Sequence, residues 1–247
     1  MTAQLSFVGL ALWLVPPSSS VASNLSGLIS SLAERYRTSA FLPHITLFSG
    51  ILRHAADESE AGSSELGPAD EDWTREIVER VQEAVDDWKG AGRHHEGVYA
   101  AYDKLGTKPT PFQYLYVQIR KSHPLVELHQ SLARRFVSHG SASIRDVDIG
   151  ADRSATKLAA DYFPHLSLMY GSDCRSPPRN SRQIIASLIE DGLATSPPDP
   201  TSTQVSSDGE KCTIGGESGF SGLEIVVMDC EGPVSGWREL GRVSLAN

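Results

Sequence analysis

The sequence predicts an α+β fold with antiparallel or mixed sheets, and three observations carry that reading. Seven segments of strand length outnumber four segments with helically spaced apolar residues. Several strand segments are separated by turns too short for the crossovers that parallel strands need. Neither Gly-x-Gly-x-x-Gly nor G-x-x-x-x-G-K-[ST] occurs, so there is no sign of a dinucleotide fingerprint or a P-loop.

In chain order, the first strand is Phe7 to Val15, whose run Leu10-Ala11-Leu12-Trp13-Leu14-Val15 ends at Pro16-Pro17. Leu5 to Val15 followed by Ser20-Val21-Ala22 invites a secretory-signal reading. The first charged residue of either sign is Glu34, however, so a charged leader is missing and the strand is preferred. Val21 to Thr38 is a helix, with Leu25, Leu28, Ile29, Leu32 and Tyr36 on one face. Leu42 to Gly50 is the second strand. Trp73 to Lys89 is a helix on Ile77, Val81, Val85 and Trp88, stopped by Gly90 and Gly92. Strands follow at Gly97 to Leu105 and Phe112 to Ile119. A helix at Leu125 to His139 places Leu125, Leu128, Leu132 and Phe136 together, with Arg134 and Arg135 off that face. Phe163 to Gly171 is a strand, Ser181 to Gly192 a helix, and Gly222 to about Asp229 and Gly236 to Leu245 are the closing strands. Two segments are expected to be surface loops. The first, residues 55–72, is acidic and rich in Ser and Gly; the second, residues 195–219, holds three Pro and four Gly, and neither buries enough apolar surface to offset its chain entropy.

At 247 residues and 40% hydrophobic, the chain has apolar material for one large domain or two small lobes, which excludes disorder as the main state. The formal charge of −9 argues against a broad grip on nucleic acid. Most of it is local, since Asp57, Glu58, Glu60, Glu65, Asp70, Glu71 and Asp72 stand in the first insertion without a Lys or Arg. Cys174, Cys212 and Cys230 are three, with no C-x-x-C pair, so neither a disulfide framework nor a zinc site is indicated.

One internal echo carries chemistry. Leu42-Pro43-His44-Ile45-Thr46-Leu47-Phe48-Ser49-Gly50 and Phe163-Pro164-His165-Leu166-Ser167-Leu168-Met169-Tyr170-Gly171 share the order apolar, Pro, His, apolar, hydroxyl, Leu, apolar, any, Gly. His-x-Ser/Thr alone is weak, because His129-Gln130-Ser131 and His139-Gly140-Ser141 also fit it. In a helix residues i and i+2 do not share a face, whereas in a strand they do. His44 with Thr46, and His165 with Ser167, therefore each present an imidazole and a hydroxyl to one face. Two imidazoles at one cleft supply a general base and a general acid for displacement at phosphorus, and the hydroxyls hold non-bridging oxygens. With ordinary histidine pKa values near ~6.5, one ring can be neutral and the other charged, so no metal is needed. A His in an apolar strand is more often structural, but burial alone does not ask for a hydroxyl at i+2 after Pro-His in both copies.

These residues resemble the duplicated His-x-Thr/Ser signature of the two-histidine (2H) phosphoesterases. More narrowly, Leu12-Trp13-Leu14-Val15-Pro16-Pro17 and the two echo segments, in that order, are similar to the fungal cyclic phosphodiesterase branch. The resemblance spans nearly the whole chain outside the two insertions. It implies a single bilobal catalytic domain, residues 1–247, of two pseudo-symmetric lobes, each with a mainly antiparallel sheet and flanking helices, and a cleft between them. It implies metal-independent opening of 2′,3′-cyclic nucleotides to 2′-phosphates, and of the ADP-ribose 1″,2″-cyclic phosphate left by tRNA splicing. His44 and His165 match the catalytic positions, Thr46 and Ser167 the phosphate-binding ones, and Tyr116 falls near a substrate-contacting Tyr of related enzymes. The motifs do not distinguish acid from base. A small nucleotide substrate, no cofactor, no stable nucleic-acid partner, no transmembrane segment and a monomer complete the expectation. So does an intracellular location, cytoplasmic or at the face of the Golgi or another endomembrane.

Other readings stay beside it. Phe48 and Met169 have the parity of the site residues, so they either wall the cleft against substrate or pack on helices. Trp13, between Leu12 and Leu14, reads as core rather than as a base-stacking ring. His94-His95-Glu96 reads as a loop and not a metal site, since adjacent strand residues point to opposite faces. Arg120, Lys121, Arg134 and Arg135 read as solvated charge. An RNA-end phosphodiesterase of the same superfamily, or a nucleotide-binding module without turnover, remains the alternative function.

Overall fold

The computed structural model describes residues 6–17, 19–52, 68–92, 97–137, 160–171, 183–186, 190, 194–195, 203–207, 210–214 and 219–246. The elements are β1 (Ser6–Phe7), β2 (Leu10–Val15), α1 (Ser20–Tyr36), β3 (Ile45–Ile51), α2 (Pro68–Gly92), β4 (Val98–Gly106), β5 (Leu115–Ile119), α3 (His123–Val137), β6 (His165–Met169), β7 (Ala194–Thr195), β8 (Thr203–Ser207), β9 (Glu210–Ile214), β10 (Gly219–Gly222), β11 (Glu224–Asp229), β12 (Gly232–Pro233) and β13 (Arg238–Ser244). Single 3₁₀ turns lie at Pro111–Gln113 and Val234–Gly236.

The fold is α+β, as the sequence predicts, and all strand pairs among the described residues are antiparallel. Eight strands form one sheet in the order β10-β4-β5-β6-β3-β2-β11-β13. Its two halves of four strands meet where β3 and β6 share the pair Ile45↔Leu166. Strand β10 pairs with β4 at one end of this order, while β11, separated from β10 by Leu223 alone, sits next to last at the other. One residue spans only ~3.5 Å, so the sheet must curl until its two ends approach each other.

Several boundaries differ from the sequence reading. The first strand is broken at Gly9, which adopts φ +86°. Phe112 belongs to the 3₁₀ turn and not to a strand. The segment taken as Gly222 to Asp229 is two strands in different halves of the sheet. The first insertion is a loop only in expectation from 68 to 72, because α2 begins at Pro68. A proline at a helix start loses no bond, and acidic residues in the first turn complement the helix dipole. In the second insertion β7, β8 and β9 form an antiparallel sheet, with Ser207 paired to Glu210. Of the helix expected at Ser181 to Gly192, the described residues 183–186 and 190 are helical. His94-His95-Glu96, His139 and Cys174 lie outside the described residues.

The sheet has two chemically distinct faces. Leu10, Leu12 and Leu14 of β2, Leu115, Val117 and Ile119 of β5, and Ile225 and Val227 of β11 join the buried faces of α1, α2 and α3 in one core. On the opposite face Ala11, Trp13, Val15, Val226, Met228 and Cys230 form a smaller cluster. Alternation along β3 and β6 is interrupted. In β3, Trp13↔Thr46 is followed by Leu12↔Phe48, which leaves Leu47 without an opposite residue; in β6, Tyr116↔Ser167 is followed by Leu115↔Met169, which leaves Leu168 in the same state. Each is a one-residue bulge directly after the motif hydroxyl, so the residues beyond it exchange faces.

Gly9 and Gly50 test how the first strand pair is held. Both have φ near +80°, but a Cβ at Gly9 would lie 2.5 Å from the Ile51 carbonyl oxygen, whereas one at Gly50 would meet nothing within 4 Å. Gly50→Ala is expected to cost only the left-handed penalty of ~1–2 kcal/mol. Gly9→Ala is expected to cost more, lowering the melting temperature further than Gly50→Ala does; equal shifts in a thermal melt would refute the role of the clash.

Candidate active site

Both histidines are positioned by the same local device. The Nδ1–H of His44 donates to the Leu42 carbonyl at 2.6 Å, and that of His165 to the Phe163 carbonyl at 2.9 Å. Each acceptor is the residue before the motif proline. Proline fixes its own φ and holds its predecessor extended, so in both copies the carbonyl at i−2 is presented to the ring. A carbonyl only accepts, which assigns the proton to Nδ1 and leaves Nε2 as the accepting nitrogen.

His44, Thr46, His165 and Ser167 line one cavity of about 240 Å³. Four residues from opposite halves of the chain thus converge on the face away from the helices. His44 is 4% exposed, and its ring stacks on Trp13 with centroids 3.6 Å apart and planes 6° from parallel. Burial is the main cause that drives the His44 pKa down to about 3, assisted by the charge of His165 and opposed by the Leu42 carbonyl. His165 is less enclosed. Its pKa is also lowered, chiefly by burial and further by the Lys108 ammonium, against the pull of the Phe163 carbonyl. Both rings are therefore held toward the neutral form. With Nδ1 protonated, His44 Nε2 accepts from the Tyr170 hydroxyl at 3.4 Å. The hydroxyls differ: Ser167 Oγ donates to the Phe112 carbonyl at 2.7 Å, a bond it must exchange to meet a phosphate oxygen.

The bulges decide between the two readings of Phe48 and Met169. Phe48 and Met169 lie in the helix-side core, with Phe48 stacked on Phe136 of α3, and neither lines the cavity. Their places on the cleft face go to Ser49 and Tyr170. Tyr116 lies opposite Ser167 with its ring edge-on to His165 at 5.7 Å, yet it flanks that ring without lining the cavity. Trp13 is buried as expected, but on the cleft face against His44, not in the helix-side core. Arg135 pairs with Glu83 and Asp87 on α2, Lys121 donates to the Ala160 carbonyl, and none of Arg120, Lys121, Arg134 and Arg135 lines the cavity.

Four residues were missed by the sequence reading. Tyr170 stacks on Phe41 at 3.8 Å and meets Phe112 edge-on at 5.2 Å; Phe112 and Trp237 close the same side of the cavity. Lys108, from the turn after β4, holds its Nζ 3.5 Å from the Phe163 ring centroid, beside the His165 ring. No pattern marks Lys108, and Tyr170 carried a signal only if the bulge at Leu168 were known. Among the described residues no group of three or more His, Cys, Asp or Glu side chains converges as metal ligands would, and no helix is long and apolar enough to cross a membrane.

A curated relative, the 2′,3′-cyclic-nucleotide 3′-phosphodiesterase of Saccharomyces cerevisiae, is 24% identical over 251 aligned positions, covering 96% of this chain and 100% of the relative. A solved structure titled as that of a phosphoesterase aligns over 97% of this chain and 99% of its own at 13% identity, with a TM-score of 0.43. The family model described as "Cyclic phosphodiesterase-like protein" matches residues 8–245. Spanning both motifs and nearly all of the sequence, that match places the chain in the cyclic phosphodiesterase-like family of enzymes.

Proposed function

We propose that this enzyme hydrolyses 2′,3′-cyclic nucleotides to nucleoside 2′-phosphates without a metal ion, and acts in the same way on ADP-ribose 1″,2″-cyclic phosphate to give ADP-ribose 1″-phosphate. The observation that carries the reading is the repeated orientation of His44 and His165, each with Nδ1 tied to the i−2 carbonyl and each lining the cavity that Thr46 and Ser167 also line. The similarity to the yeast 2′,3′-cyclic-nucleotide 3′-phosphodiesterase supports the substrate class.

In the proposed reaction one neutral Nε2 removes a proton from water as its oxygen bonds to phosphorus. The bond from phosphorus to the 3′ oxygen breaks, and the imidazolium of the other motif protonates that oxygen as it leaves. The free 3′ hydroxyl and the 2′-phosphate result. Thr46 and Ser167 donate to the non-bridging oxygens, where such a donor contributes on the order of 10²–10³-fold. The anionic substrate counteracts the burial that keeps both rings neutral, so binding itself favours the singly protonated pair.

Hydrolysis of 2′,3′-cyclic AMP in EDTA tests this directly. The wild-type rate is expected to be unchanged by the chelator, and His44→Ala and His165→Ala are each expected to lose ~10²–10⁴-fold in kcat. Full activity in either variant removes that residue from its role, and loss of wild-type activity in EDTA calls for a metal.

The pH dependence follows from the shifts. The free enzyme is competent with one proton on the pair, between the His44 value of about 3 and a His165 value below the ordinary 6.5. The kcat/KM profile should therefore peak on the acid side of pH 6.5 and fall as pH rises through the His165 value. Removing the nearby cation in Lys108→Met stabilises the His165 imidazolium, so the alkaline limb should move to higher pH. An unmoved limb would show that the Lys108 charge does not act on His165.

A further inference from the structure

Leu47, the bulged residue of β3, has no partner in the ladder to β2, and a buried carbonyl without a donor is costly. Its carbonyl accepts from Nδ1–H of His129 on α3 at 2.7 Å. One residue earlier, the Thr46 carbonyl accepts from the Tyr162 hydroxyl at 3.3 Å. The His129 and Tyr162 rings stack with centroids 4.0 Å apart and planes 4° from parallel, at 7% and 9% exposure. Two polar aromatic side chains, one from α3 and one from the segment before β6, thus grip the consecutive carbonyls of Thr46 and Leu47, and neither lines the cavity.

We propose that His129 and Tyr162 are positioning residues, a clamp behind the sheet that fixes the bulge and thereby aims the Thr46 hydroxyl at the phosphate. The bulge begins at Leu47, whose N–H shares a peptide with the Thr46 carbonyl, so freedom in the Leu47 backbone passes directly to Thr46. A donor acts on a phosphoryl oxygen only at about 2.7–3.1 Å, and a misplacement of ~1 Å can cost ~10²-fold. Tyr162 also stands three residues before His165, at the entry to β6. The clamp therefore adds a second tie between the motif strands, which otherwise share the single pair Ile45↔Leu166. The inference rests on the proposal that Thr46 holds phosphate.

A double-mutant cycle tests it on 2′,3′-cyclic AMP. His129→Phe keeps the stacked ring and removes the donor, His129→Asn restores an N–H near the Nδ1 position, and Thr46→Val removes the hydroxyl. Expected are a loss in kcat of ~10-fold or more for His129→Phe, recovery of most of it in His129→Asn, and a double variant His129→Phe/Thr46→Val no slower than Thr46→Val alone. Tyr162→Phe, which deletes one oxygen and keeps the ring, should couple to Thr46→Val in the same way and serves if His129→Phe does not fold. Losses that multiply, or a lowered melting temperature with unchanged kcat, would overturn the clamp. If Thr46→Val alone is fully active, the phosphate-holding role of Thr46 fails first, and that result is distinct from a failed coupling.

Discussion

The hydrogen bond from each motif histidine back to the carbonyl before its proline organises this site. It fixes three things at once: the tautomer, the plane of the ring, and the nitrogen left free to accept. Without it a strand histidine rotates about two side-chain torsions, and ordering it on substrate binding would cost binding energy. The proline matters because its ring restrains the preceding residue to extended backbone, which holds the acceptor carbonyl in place. Pro-His is thus one functional unit, and its appearance in both halves of the chain has a mechanical reason.

Burial then sets the charge state that this geometry can use. His44 lies against Trp13 in a nearly closed wall of aromatic rings, and the loss of hydration outweighs the stabilising Leu42 carbonyl. His165 sits at the more open end, where the Lys108 ammonium on Phe163 adds a second influence in the same direction. The two rings look alike in sequence and differ in environment, which is the usual route by which a pair of identical groups is given separate roles.

Much of the architecture was legible because it depends on residue type at fixed spacing. Apolar periodicity located α1 to α3 and most strands within a few residues, and the His, Thr and Ser of the two motifs were readable since strand alternation holds from His44 to Thr46 and from His165 to Ser167. Two residues further on it fails. Nothing in Leu47 or Leu168 marks a bulge, so Phe48 and Met169 were given a parity that the backbone does not keep, and Tyr170 went unseen. Pro68 and its acidic neighbours satisfy a helix start as well as a loop, and composition alone hid that. Asp208-Gly209 did carry a hairpin signal, which the surrounding Ser, Thr and Pro obscured. Lys108 reaches the site from a turn whose position only the folded sheet determines.

The paired bulges follow from competition between the core and the cleft. Had β3 and β6 stayed regular, Phe48 and Met169 would face the cavity, while Ser49 and Tyr170 would turn toward the helices. Burying a Phe or Met side chain is worth ~1.5–3 kcal/mol each, and a hydroxyl buried without a partner costs about 1–3 kcal/mol. Both terms favour the bulged arrangement on both strands. Against them stands an interrupted ladder, whose buried Leu47 carbonyl in β3 would itself cost about 1–3 kcal/mol if left unmet. His129 and Tyr162 remove that penalty from behind the sheet, so the bulge is stable and the cleft keeps its polar lining. The same backbone defect that completes the core also turns the wall of the active site from apolar to hydrogen-bonding.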